Sequence, residues 1–266
     1  MSAFIKIREL VKRFPTRAGD VTVALDHVDL DIGLGEFVSV VGPSGCGKST
    51  LLTLVAGLDA PSSGEISIGE QRVRTPYTDV GIVFQRDLLL DWRTVLRNVL
   101  VQFEMRGMDP APHATRARSI IASVGLGPFE SKYPWELSGG MRQRVSICRA
   151  LVHDPPLLLM DEPFGALDAL TREQLQVDLQ AIWQRSRKTV MFITHSISEA
   201  VFLSDRVVVM TPRPGKVREI LPIDLPRPRD LDVRDSSEFT GYTHHIGRLF
   251  REMGVIRETP LHQHVN

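Results

Sequence analysis

Cysteine is nearly missing from this chain: Cys46 and Cys148 are the only two among 266 residues. Two thiols cannot make a disulfide framework, and a reducing compartment fits. Net charge is missing as well, because Lys+Arg and Asp+Glu both number 32. That balance argues against a surface built to coat nucleic acid, which would read as basic. No apolar run approaches the length of a membrane span. The N-terminus, Met1-Ser2-Ala3-Phe4-Ile5-Lys6-Ile7-Arg8, carries charges where a signal peptide needs an apolar core. No internal repeat and no sustained heptad pattern is present. The absences predict a soluble cytoplasmic protein, with any role at a membrane arriving through a partner.

What is present is a hydrophobic fraction of 42%, enough for a substantial core in one or two domains. Residues 4–11 and 21–32 read as strands with a turn marked by Asp20, and the alternation Val28-Asp29-Leu30-Asp31-Ile32 suits a sheet with one wet face. Phe14 lies between these two segments, where an aromatic serves equally as a stacking surface for a base or as core. Further strands are predicted at 37–41, 65–68, 80–84, 157–160, 189–193 and 206–210, with a helix over about 169–187. Strands alternating with helices argue for an α/β fold with a mostly parallel sheet. Residues 86–153 instead hold helical stretches, including 94–106 and 112–124, and read as an insertion. Prolines 222, 226 and 228 mark a linker. Beyond it Phe239, Tyr242, Ile246, Leu249, Phe250 and Met253 fall at helical spacing, a docking face. His262 and His264 sit in a polar tail and read as a frayed end, not a metal site. The expected boundaries are therefore 1–85 with 154–220 for the α/β core, 86–153 for the helical insertion, and 221–266 for linker and docking helix.

The chain is organised around Gly42-Pro43-Ser44-Gly45-Cys46-Gly47-Lys48-Ser49-Thr50, which follows an apolar strand and opens a helix. Strand, glycine loop and helix is the setting a phosphate-binding loop requires. Glycines let backbone N–H groups approach phosphate oxygens, and the helix N-terminus adds its unpaired donors and dipole. Lys48 supplies a full positive charge, and the Ser49 hydroxyl suits Mg²⁺. Cys46 lies inside the loop, so a thiol-alkylating reagent is expected to inhibit and nucleotide to protect.

A second signal is Leu157-Leu158-Leu159-Met160-Asp161-Glu162, an apolar strand ending in two carboxylates. Asp161 is placed to hold Mg²⁺ through water beside Ser49. Glu162 is placed to polarise a water for in-line attack on a γ-phosphate. Gln85 ends one strand and is a candidate for both the metal and the attacking water. His195 follows another, at the carboxyl edge where ligands bind in open α/β sheets. A third signal is Leu137-Ser138-Gly139-Gly140-Met141-Arg142-Gln143-Arg144. Ser138 is a good N-cap, and the glycines open a second helix with an anion-binding end.

Taken in this order, the loop, Gln85, L-S-G-G-x-x-Q-R, the Asp-Glu strand end and His195 resemble the ATPase subunits of ABC transporters over nearly the whole chain. The resemblance implies a P-loop NTPase core, an antiparallel β subdomain and an inserted helical subdomain. It also implies a dimer of two copies enclosing two ATP. Gly42 to Thr50 of one copy would hold the phosphates, while Ser138, Gly139 and Gly140 of the other close over the γ-phosphate. Phe14 matches the base-stacking aromatic, and Ala166-Leu167-Asp168 the loop through which the copies sense each other. Glu162 would be the base, His195 the γ-phosphate switch and Gln85 the link to a transmembrane permease. The expected cofactors are ATP and Mg²⁺, and the expected place is the cytoplasmic side of a membrane.

Leu88-Leu89-Leu90-Asp91-Trp92-Arg93-Thr94-Val95, Thr211-Pro212-Arg213-Pro214-Gly215 and Asp224-Leu225-Pro226-Arg227-Pro228-Arg229-Asp230 look like the nitrate/sulfonate/taurine import branch. That branch usually has proline where this chain has Asp91, on the surface that would meet the permease. Uptake of a small anion or organic solute through the permease and, indirectly, a solute-binding protein is the implied function. A soluble ABC ATPase acting on DNA or ribosomes would usually carry coiled-coil or basic insertions or a second cassette. An exporter ATPase is the other rival, and the import-branch stretches count against it.

Overall fold

The computed structural model describes residues 3–16 and 19–256; His262 and His264 lie outside the described residues. The chain opens with two long antiparallel strands, β1 (Ala3–Pro15) and β2 (Val21–Gly33). Inward residues such as Ile5, Ile7, Val28, Leu30 and Ile32 are fully or almost fully buried, and polar residues alternate outward, as a sheet with one wet face requires. β1 is longer than the apolar pattern indicates. Lys12 extends it by burying its stem while its ammonium donates to Asp59 Oδ1 (2.6 Å) and the carbonyl of Ala60 (2.7 Å). Phe14 is consequently a strand residue paired with Thr22, not part of a connection.

The chain then enters β3 (Phe37–Val41), buried at all five positions, and the glycine loop that leads to α1 (Lys48–Val55). Two short strands, β4 (Ser63–Ile68) and β5 (Gln71–Arg72), return to the first sheet, whose order is β2-β1-β4-β5. β6 (Val80–Val83) follows. Next come three helices: α2 (Val95–Met105), α3 (Ala114–Ser123) and α4 (Gly139–Leu151). They share a small core of their own around Val99, Phe103, Ile121, Val145 and Cys148. Burial pushes the Cys148 thiol up to about 12, which makes it packing, not chemistry.

The α/β unit is completed by β7 (Leu157–Asp161), α5 (Ala169–Ser186), β8 (Thr189–Thr194), α6 (Ile197–Leu203) and β9 (Arg206–Met210). In the second sheet β6, β7, β8, β3 and β9 are parallel neighbours, and β10 (Val217–Pro222) adds an antiparallel edge. Runs such as Leu157 to Met160 carry no alternation because both faces are covered.

The C-terminal part departs from the expected linker. β10 crosses the boundary placed at 220, with Pro222 ending an edge strand, where proline is tolerated. The stretch after it is packed down. Ile223 and Leu225 are buried, and Arg229 is 3% exposed with its guanidinium donating to the carbonyls of Val201, Phe202, Ser204, Ile223 and Leu225. Its backbone exchanges hydrogen bonds with the Gln180 side chain at 2.6 and 2.8 Å. Burial pulls the Arg229 guanidinium down to about 10. The last helix, α7 (Ser237–Glu252), turns Phe239, Ile246, Leu249 and Phe250 onto the chain's own α/β core. Its apolar stripe is therefore already docked.

Candidate active site

Parallel strands bring their carboxyl ends to one edge, and the residues singled out by sequence collect there. β3 delivers the glycine loop. Gly47 adopts φ 106°, and a Cβ there would lie 2.7 Å from Leu25 Cδ2 and 2.9 Å from the Ala24 carbonyl; no other residue fits both constraints. Lys48 is 5% exposed, and its ammonium donates to the carbonyls of Gly42 (2.8 Å) and Pro43 (3.1 Å) across the mouth of the loop. A cleft of about 430 Å³ lies over this cradle. Ser44, Gly45, Gly47, Lys48, Ser49 and Thr50 line it on the loop side, and Phe14, Thr16, Thr22, Glu162 and Arg213 on the other sides. Phe14 is 39% exposed and lines the cleft, with the Lys12 ammonium 4.9 Å from its ring centroid.

Cys46 departs from expectation. It is 1% exposed and packs behind the loop, its Sγ within reach of Gly42 and its carbonyl against Gly215. Burial pushes its thiol up, against the pull of Lys48. A buried thiol with a raised pKa is expected to alkylate slowly, whether or not nucleotide is bound.

β7 ends at Asp161, whose Oδ1 accepts from the Ser49 hydroxyl at 3.0 Å. Burial raises the Asp161 carboxyl, with the Glu162 charge adding to it. Two hard oxygen donors, one of them a carboxylate held out of water, suit Mg²⁺, which takes few protein ligands and completes its shell with phosphate and water. No group of three or more His, Cys, Asp or Glu side chains able to hold a metal occurs among the described residues.

Glu162 turns the chain sharply. Its φ is 46°, in the left-handed region that a long side chain avoids, and its N–H is fixed by the Ile193 carbonyl at 2.9 Å. Outliers of this kind concentrate where a side chain must be aimed. Glu162 Oε2 lies 3.2 Å from His195 Nδ1 and 3.5 Å from Gln85 Nε2. Glu162, His195 and Gln85 thus form one cluster. Among the described residues Gln85 approaches Glu162, with no hydrogen bond to Ser49 or Asp161.

The second glycine loop stands apart. Ser138 caps α4, accepting from Met141 N–H at 3.3 Å, and Ser138 and Gly139 are exposed. Gly140 is buried, and a Cβ there would collide with the Thr171 methyl. None of the three lines the cleft over the phosphate loop. Asp168, at the end of the Ala166-Leu167-Asp168 stretch, caps α5 by accepting from Thr171 N–H at 3.0 Å.

Two arginines that no motif identified tie the helical part to the segment after Gln85. Arg142 pairs with Asp87 at 2.9 Å, and Arg149 donates to the carbonyls of Asp87 and Leu88, both at 2.7 Å. Their seven-residue spacing puts them on one face of α4, a signal present in the sequence. Arg213 lies in the stretch 211–215 that resembles the import branch, which assigns it no place in the cleft.

Comparison with known proteins agrees with this geometry. The family described as ABC transporter matches residues 25–165. The chain is 48% identical over 252 residues to an uncharacterized ABC transporter ATP-binding protein of Methanocaldococcus jannaschii, covering 95% of this chain and 93% of that one. It is 49% identical over 214 residues to the taurine import ATP-binding protein TauB of Rhizobium johnstonii, covering 80% and 82%. A bicarbonate transport ATP-binding protein, CmpC of Synechocystis, is 47% identical over 232 residues, 86% of this chain and 35% of the relative. Among solved structures the dimeric bacterial ABC transporter cassette MJ0796 superposes with a TM-score of 0.73 at 33% identity, over 84% of this chain and all of that one. The same cassette in a post-hydrolysis state bound to ADP and Pi also superposes with a TM-score of 0.73.

Proposed function

Because this chain belongs to the ABC transporter family and is an ATP hydrolase of its cassette type, we propose that it powers an importer, driving uptake of a small anion or organic solute of the nitrate, sulfonate or taurine kind through a separate membrane permease. The observation that carries the import reading is the 49% identity to a taurine import ATP-binding protein over four-fifths of the chain. Similarity to a bicarbonate transport protein extends the range to small anions. No described helix is long and apolar enough to cross a membrane, so solute passage falls to a partner. The cargo is selected by the permease and a solute-binding protein.

In this reading two copies close on two ATP molecules. The phosphate loop and Lys48 of one copy hold the phosphates, and Phe14 stacks on the base. Ser138, Gly139 and Gly140 of the other copy cover the γ-phosphate, whose contacts exist only in the closed dimer and therefore drive closure. Ser49 and Asp161 would hold Mg²⁺, which when bound neutralises developing charge on the phosphates. Glu162 takes a proton from the attacking water. His195, 3.2 Å from Glu162, orients that carboxylate and meets the γ-phosphate. Gln85 reports the change to the segment held by Arg142 and Arg149, and through it to the permease. Loss of the γ-phosphate removes the bridge, and the copies part.

The test is a pull-down of tagged Glu162→Gln protein from detergent-solubilised native membranes, with partners identified by mass spectrometry. A multi-span membrane protein is the expected partner. Recovery of ribosomal or DNA-associated proteins alone would replace the importer reading with that of a soluble ABC ATPase.

A further inference from the structure

The cleft contains a cation, Arg213, to which the motifs assign no role at the site. β9 and β10 are joined by residues 211–216, whose tip is Pro212-Arg213-Pro214. Thr211 closes this turn, its N–H donating to Lys216 O at 2.9 Å and its hydroxyl accepting from Lys216 N–H at 3.0 Å. Gly215 pins the turn to β2: its N–H donates to Ala24 O at 2.9 Å, and its carbonyl accepts from Asp26 N–H at 3.0 Å. Any Cβ at 215 would collide with the Cys46 carbonyl, so the turn is wedged between β2 and the back of the phosphate loop. Prolines on both sides of Arg213 restrict the backbone that carries it. From there the side chain reaches the crest of the loop, where Nε–H donates to Gly45 O at 3.2 Å. Among the described residues no carboxylate forms an ion pair with Arg213, although it lines the same cleft as Phe14, Lys48 and Ser49. An unpaired guanidinium beside a phosphate cradle is complementary to an anion, and its planar fork can bond the loop and a phosphate together.

We propose that Arg213 is a nucleotide-binding residue, a second cation that grips the phosphate chain at the loop crest while its Nε–H holds Gly45 in place. This rests on the reading of the cleft as the ATP site. Calorimetric titration of full-length wild type, Arg213→Ala, Arg213→Lys and Arg213→Gln with ATP, at low and high salt, tests it. ATP should bind Arg213→Ala about tenfold more weakly at low salt, with a smaller loss at high salt because the site is solvent-accessible. Lys should restore most of the affinity and Gln should not, since charge and not a neutral donor is at issue. Unchanged affinity in Arg213→Ala would overturn the proposal. Rescue by Gln to the level of Lys would overturn it too, leaving only the bond to Gly45. If wild type itself bound no ATP, the reading of the cleft would fall instead, so the two failures are distinct.

Discussion

The two glycine-rich loops of this chain use similar residues and are finished to different degrees. The loop from Gly42 to Thr50 is walled in. Cys46 packs behind it, Lys48 bridges its mouth, Ser49 meets Asp161 at 3.0 Å, and Phe14 and Arg213 flank the cleft above. The loop at Ser138 has a helix N-terminus of the same kind, yet Ser138 and Gly139 face solvent and neither lines the cleft over the first loop. One chain thus carries a whole cradle for phosphate and half of a lid. In the proposed reading that difference separates binding from turnover: the first loop holds ATP, and the second acts when the copies close.

Mutations can break or sharpen that contrast. The largest effect belongs to Glu162→Gln, which should lower turnover by about 10²–10⁴-fold, the usual worth of a positioned proton acceptor, while ATP affinity stays. Phosphate release under saturating ATP measures it, and near-normal turnover would move the base elsewhere. Lys48→Ala should weaken ATP binding by about a hundredfold, because charge-assisted contacts to phosphate are lost inside the enclosed loop. Equal affinity in calorimetry would remove Lys48 from its role. Gly139→Asp places a carboxylate on the exposed loop, where a Cβ meets only the Arg142 guanidinium at 3.9 Å. It should leave ATP affinity within about twofold but cut turnover more than about tenfold by repelling the partner's γ-phosphate. If Gly139→Asp loses ATP binding as Lys48→Ala does, the two loops are not divided as argued.

Much of this was legible before the structure, for physical reasons that differ by element. β3, β7 and the strand before His195 are apolar at nearly every position, so their burial on both faces is visible in one dimension. Ser138 announces a helix start because caps are local chemistry. Partnerships between distant segments left no such trace. Lys12 belongs to β1 only because Asp59 and Ala60, far along the chain, receive its ammonium. The stretch after Ile220 looked like a linker because prolines end regular structure, but Arg229 is buried through carbonyls supplied by the end of α6. The thiol of Cys46 sits in the motif by sequence and behind it in space, and Arg213 reaches the cleft from an edge turn whose sequence carries no sign of that role. The placing of Gln85, His195 and Glu162 at the carboxyl edge was inferred from strand ends; that Gln85 Nε2 lies 3.5 Å from Glu162 Oε2 required coordinates.

The composite site is the central claim, and the mass of the Glu162→Gln protein tests it most directly. With ATP bound and turnover halted, multi-angle light scattering should give twice the 29.8 kDa of the chain, and half that value once ATP is removed or Gly139→Asp is added. A species that stays at 29.8 kDa with saturating ATP would contradict the account, because the lid over the first loop would then have to come from somewhere other than a second copy.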